Sequence, residues 1–174
     1  DINPEILGKN YRSAVEIVAD AKLALQDLSS EIHAIAKSIK RKQDWAKASK
    51  EMVDRWRELA HSTMYESKDP TRPEFVISSL QEFMEKDDPL IADASFATTW
   101  CGVYFDAMSQ GRIFSAPRGG AGIGGGFPLA LGFQAALPER RVYCVAGDGG
   151  FSVGCQELET ARRAELPVVV VVLN

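Results

Sequence analysis

Apolar positions recur along this chain with two spacings, and the change between them divides it into three zones. Val15-Glu16-Ile17-Val18 is an apolar run of strand length. Asp20 then stands where it can cap a helix whose apolar positions are Ala21, Leu23, Ala24, Leu25 and Leu28. One strand and one helix cannot bury a core, so residues 1–28 are expected to be the tail of a domain whose beginning is absent. Residues 29–69 read as a helical linker. Trp45, Met52, Trp56 and Leu59 fall close to one helical face as packing residues, and Lys40-Arg41-Lys42 forms a solvated face. Asp69-Pro70-Thr71-Arg72-Pro73 ends that helix.

From residue 70 to 174 the spacing alternates. Helices are predicted over 74–85, 98–108 and 152–165, with one more running from the glycine-rich turn at 119–126 through Ala136. Strands are predicted over 90–93, 112–115, 141–146 and 168–173. Such alternation implies an α/β fold with a doubly wound, mainly parallel sheet, here incomplete. The five valines 168–172 suit a strand buried on both faces.

Composition narrows the function. A net charge of −4 with 25% charged residues argues against a nucleic-acid footprint. No apolar run approaches the ~20 residues of a membrane span. The start, Asp1-Ile2-Asn3-Pro4-Glu5, lacks the basic and apolar segments of a signal peptide. Cys101, Cys144 and Cys155 are odd in number and form no CxxC. They are expected to be reduced, core-filling thiols of a cytoplasmic protein, not zinc ligands. His33 and His61 read as helix-surface residues.

In a doubly wound sheet, ligands bind outside the carboxyl ends of the strands. Four features fall at such ends: Asp93-Ala94-Ser95, the glycine-rich turn, Gly147-Asp148-Gly149-Gly150, and Asn174. An acid between glycines can meet a hard cation while backbone approaches a phosphate closely. The helix that follows offers free N–H groups to an anion. Asn174 ends the next strand after one crossover, which brings the two strand ends to the same edge. Asp148 and Asn174 can then give two oxygens to one magnesium ion, with a diphosphate and water supplying the rest.

These residues resemble a known family. The thiamine-diphosphate enzymes carry Gly-Asp-Gly, then roughly two dozen residues, then Asn-Asn; here residues 150–173, 24 in all, separate Gly149 from Asn174. Gly147-Asp148-Gly149-Gly150-Phe151, Glu157-Leu158-Glu159-Thr160-Ala161 and the stretch from Leu166-Pro167 to Leu173-Asn174 look like the acetolactate-synthase-like branch. Gly124-Gly125-Gly126-Phe127-Pro128-Leu129-Ala130-Leu131-Gly132 resembles its glycine-rich segment, and residues 1–28 resemble the end of its central domain.

The resemblance implies thiamine diphosphate and Mg2+ as cofactors. Asp148 and Asn174 would be side-chain metal ligands, and the backbone of Gly147, Gly149 and Gly150 would hold the diphosphate. Ile123 would be the bulky residue beneath a bent cofactor, and Ser95 a phosphate contact. The implied reaction is decarboxylation or carboligation of a 2-oxo acid, with the cofactor as electron sink. Glu157 and Glu159 read as surface or packing residues of their helix.

The activating glutamate of the family comes from an N-terminal domain across a subunit interface, which implies a homodimer or homotetramer. That domain and the second Asn are outside this chain, so the segment alone is expected to be inactive. Ser95-Phe96-Ala97-Thr98-Thr99 replaces the glutamine-rich stretch of acetolactate synthases before Trp100, and Arg118 replaces a glycine. Both departures point toward a less-defined decarboxylase or carboligase. Two alternatives stand beside this reading. Gly120-Ala121-Gly122-Ile123-Gly124-Gly125 fits the G-x-G-x-x-G of nicotinamide dehydrogenases, and a non-catalytic cofactor-binding subunit would carry the same motifs.

Overall fold

A computed structural model describes residues 1–36, 43–107 and 114–174. It divides into two compact units, Asp1–Asp54 and Arg55–Asn174. In the first, the Asp20 carboxylate caps α1 (Ala21–Ile35), accepting from the Lys22 and Leu23 amides at 3.0 and 3.1 Å. The predicted strand at residues 15–18 does not form. A strand exists only as part of a ladder, and this stretch is instead tied at its end by the Asp1 amino group donating to the Ile17 carbonyl at 3.0 Å. α2 (Gln43–Tyr65) follows, and Lys40-Arg41-Lys42 lies outside the described residues. Trp45 is 77% exposed, contrary to the packing expected of it.

Within the second unit, Trp56 packs against Tyr104 at a ring separation of 5.8 Å. Arg57 donates to both carboxylate oxygens of Asp106 at 3.0 Å. α3 (Pro73–Phe83) opens on a proline whose fixed φ suits a first helical turn. Four parallel strands follow in the order β2-β1-β3-β4, namely β1 (Leu90–Ala92), β2 (Phe114–Ser115), β3 (Tyr143–Gly147) and β4 (Val169–Leu173). The remaining helices are α4 (Phe96–Tyr104), α5 (Gly126–Ala136), α6 (Asp148–Gly154) and α7 (Leu158–Arg163). The predicted single helix over 152–165 therefore begins earlier, at Asp148, and is interrupted by a 3-10 turn at Cys155–Glu157. Met108, Arg112 and Ile113, which the predicted elements included, lie outside the described residues.

Successive strand residues point to opposite faces, and two half-cores result. Leu90, Ala92, Tyr143 and Val145 meet Ile77 of α3 and Ala97 and Cys101 of α4. Ile91, Val142 and Cys144 meet Phe127, Ala130 and Leu131 of α5. Gln134, 2% exposed, joins α5 to β3: its amide donates to the Leu137 and Arg140 carbonyls, and its oxygen accepts from Val142. Within this segment β4 pairs with β3, and Val169 and Val172 are exposed. The thiols divide likewise: Cys101 and Cys144 fill the core, whereas Cys155 is exposed.

Candidate cofactor site

The carboxyl ends of β1, β3 and β4 open on one cavity of about 520 Å³. Ser95, Ile123, Gly147, Asp148, Gly149, Gly150 and Asn174, all selected from the sequence, line it. Phe96, Trp100 and Leu173, which were not selected, line it as well, as does Asp93, marked in the sequence only as part of a strand-end feature. The parallel register pairs Gly147 with Leu173. Asp148 and Asn174 are therefore the residues that directly follow two adjacent strands, at the same edge of the sheet. Both are exposed.

The Asp148–Asn174 pair suits a hard cation that completes its shell from a ligand and water. Among the described residues, no group of three or more His, Cys, Asp or Glu side chains could hold a metal without such help. The glycines fit the same picture. A Cβ built on Gly147 or Gly149 would meet nothing within 4 Å in this chain, so the backbone there is open to close approach.

Gly124, Gly126 and Gly150 answer to Asp93. This residue is 1% exposed and follows β1 directly. Its carboxylate accepts from the Gly126 amide at 2.8 Å and from the Gly124 amide at 3.0 Å. Gly124 has φ +86°, a conformation that disfavours any side chain. A Cβ on Gly150 would lie 2.1 Å from Asp93 Oδ2. Ser95, at the head of α4, also has positive φ, +68°, a strained backbone of the kind concentrated at functional sites. Ile123 is 52% exposed on the turn.

The sequence marks Asp93 by its place at a strand end on the ligand edge but assigns no role to it. Its partners lie 31 and 33 residues downstream, and no local pattern announces them. Burial pushes the Cys144 thiol up to about 12, helped by the nearby Asp93 charge. Cys101 is likewise pushed up to about 12, by burial and then by Cys144. Neither thiol is a nucleophile near neutral pH.

Residues 93–174 match the family model described as "Thiamine pyrophosphate enzyme, C-terminal TPP binding domain". The whole chain aligns at 31% identity with a probable acetolactate synthase large subunit of Methanococcus aeolicus, covering 30% of it. It aligns at 32% with a putative thiamine pyrophosphate-containing protein of Bacillus subtilis, covering 29%. With the acetolactate synthase isozyme 3 large subunit of Escherichia coli the identity is 30%, again over the whole chain and 30% of the relative. The chain thus spans about three tenths of the length of these curated relatives. Among solved structures, the thiamine diphosphate-dependent 4-hydroxybenzoylformate decarboxylase of Rhodococcus jostii RHA1 superposes with a TM-score of 0.54 at 27% identity, over 60% of this chain and 19% of that one.

Proposed function

Because this chain belongs to the acetolactate-synthase-like branch of the thiamine-diphosphate enzymes, whose members use that cofactor with Mg2+, we propose that it is the cofactor-domain portion of a 2-oxo-acid decarboxylase or carboligase. The observation that carries this reading is the Gly147–Leu173 pairing, which brings Asp148 and Asn174 out together beside two glycines whose missing side chains leave open space. Asp148 and Asn174 hold Mg2+. The backbone of Gly147, Gly149 and Gly150 receives the diphosphate, with Ser95 as a further phosphate contact. Ile123 would support the cofactor from the turn. When bound, thiamine diphosphate supplies a nucleophilic carbon and the electron sink for loss of carbon dioxide.

The residues of this chain supply position. Phe96, Trp100 and Leu173 give the cavity an apolar wall. The working enzyme is a cytoplasmic homodimer or homotetramer, in which a partner subunit completes the site. The nicotinamide alternative is disfavoured by the turn itself. Two of its amides, Gly124 and Gly126, are already taken by Asp93, and a dinucleotide pyrophosphate would need such amides free.

Calorimetric titration of thiamine diphosphate and Mg2+ into the full-length parent protein tests the reading. Magnesium-dependent binding that is lost in Asp148→Ala supports it. A folded parent that binds neither, or that takes a nicotinamide cofactor instead, sinks it.

A further inference from the structure

Three segments that line the cavity converge on one carboxylate. Asp93 is fixed through its own backbone: its N–H donates to the Val145 carbonyl of β3 at 2.8 Å, and its carbonyl accepts from the Thr98 hydroxyl of α4. Its side chain then reaches outward to the turn, holding the Gly124 and Gly126 amides. Its Oδ2 also sits against Gly150, so close that no side chain fits there.

Ile123 immediately precedes the first clamped amide and is half-exposed. Packing around its side chain therefore does little to fix it, and the backbone of the turn must. We propose that Asp93 is a positioning residue of the cofactor site. It locks the turn that presents Ile123 and sets the backbone of Gly150 against the same point, so that both contact surfaces keep one spacing. The proposal rests on the functional reading above. It goes beyond it in assigning a site role to a residue that touches neither metal nor phosphate in that scheme.

The alternative is a buried carboxylate that merely satisfies two amides for the sake of the fold. Asp93→Asn separates the two. The amide has nearly the same shape, but its one oxygen can accept from only one of the two N–H groups, and its NH2 faces the other. In the full-length parent protein, two measurements are made: amide hydrogen exchange of the turn without ligand, and thiamine diphosphate affinity in saturating Mg2+ with the near-ultraviolet circular-dichroism band of the bound cofactor.

In the wild type, Gly124 and Gly126 should exchange at least about tenfold more slowly than Gly120 and Gly122 of the same turn. D93N should keep the wild-type melting temperature to within a few degrees, release that protection, weaken thiamine diphosphate binding about tenfold and alter the cofactor band. A D93N protein with wild-type affinity and an unchanged band overturns the proposal. So do wild-type amides at Gly124 and Gly126 that exchange as fast as their neighbours. A D93N chain that loses its fold assigns the carboxylate to the core as a whole and overturns it too. Failure of the wild type to bind thiamine diphosphate would instead overturn the functional reading. The exchange measurement needs no ligand, and so keeps the two failures apart.

Discussion

The glycines that border the cavity fall into two groups, those packed against Asp93 and those with open space beside them. Around Asp93 the missing side chain is a matter of room. A Cβ on Gly150 would lie 2.1 Å from Asp93 Oδ2, and one on Gly126 would lie 2.7 Å from Asp93 Cβ. At Gly147 and Gly149 the same atom would meet nothing within 4 Å. Gly149 and Gly150 are adjacent in one motif and one helix, yet the fold demands only the second. Under the functional reading proposed above, the first serves the ligand. A motif read as a string of letters merges these two demands, and substitution can separate them.

The largest effect should come from Gly150→Ala. Asp93 is held by its hydrogen bonds and cannot retreat, so the methyl group should cost about 2–3 kcal/mol of overpacking, read from urea unfolding of the full-length parent protein. Gly149→Ala should behave differently. In α6 the alanine has open space and better helix propensity, so stability should hold or rise by up to ~1 kcal/mol. Affinity for thiamine diphosphate with Mg2+ should nevertheless fall about tenfold, because the methyl group enters the space through which a phosphate approaches. Equal destabilisation by both substitutions would erase the contrast. Unchanged cofactor binding by Gly149→Ala would remove the ligand's half of it.

A smaller effect should mark the packed side at high pH. The folded pKa of Cys101 and of Cys144 is pushed up to about 12 from an ordinary 9.0, chiefly by burial. The folded protein thus keeps protons that the unfolded chain releases, so their contribution is full below pH 9 and is lost as pH rises toward 12. Between pH 9 and 10 each thiol should account for about 1 kcal/mol of lost stability. Urea midpoints of wild type and Cys144→Ala at the two pH values should differ in slope by that amount. Parallel slopes would show that the thiol ionises in the folded protein as easily as in the unfolded chain.

The order of elements from residue 70 onward was legible because hydrophobic spacing reports local structure, and the cavity residues because their types are chemically particular. The order of strands was not. β1 lies between β2 and β3, both of which come later in the chain, and no local spacing says which strands become its neighbours. The role of Asp93 stayed hidden for a further reason. An acid at a strand end is an ordinary turn residue until its partners are known, and these come from backbone more than 30 residues away.

The smallest effect is expected at the far end of the helical stretch that begins with the motif, where it serves as the control for the contrast between packed and open glycines. Glu159 and Arg163 on α7 pair at 3.0 Å with 68% of each side chain exposed. Water and salt screen such a pair, and ordering two long side chains opposes it. Glu159→Ala should therefore shift stability by no more than ~0.5 kcal/mol and leave thiamine diphosphate affinity unchanged. Tenfold weaker cofactor binding in this variant would show that the ligand's reach extends along α6 into α7. Open space at Gly149 would then no longer be enough to say which residues of the motif serve the ligand and which serve the fold.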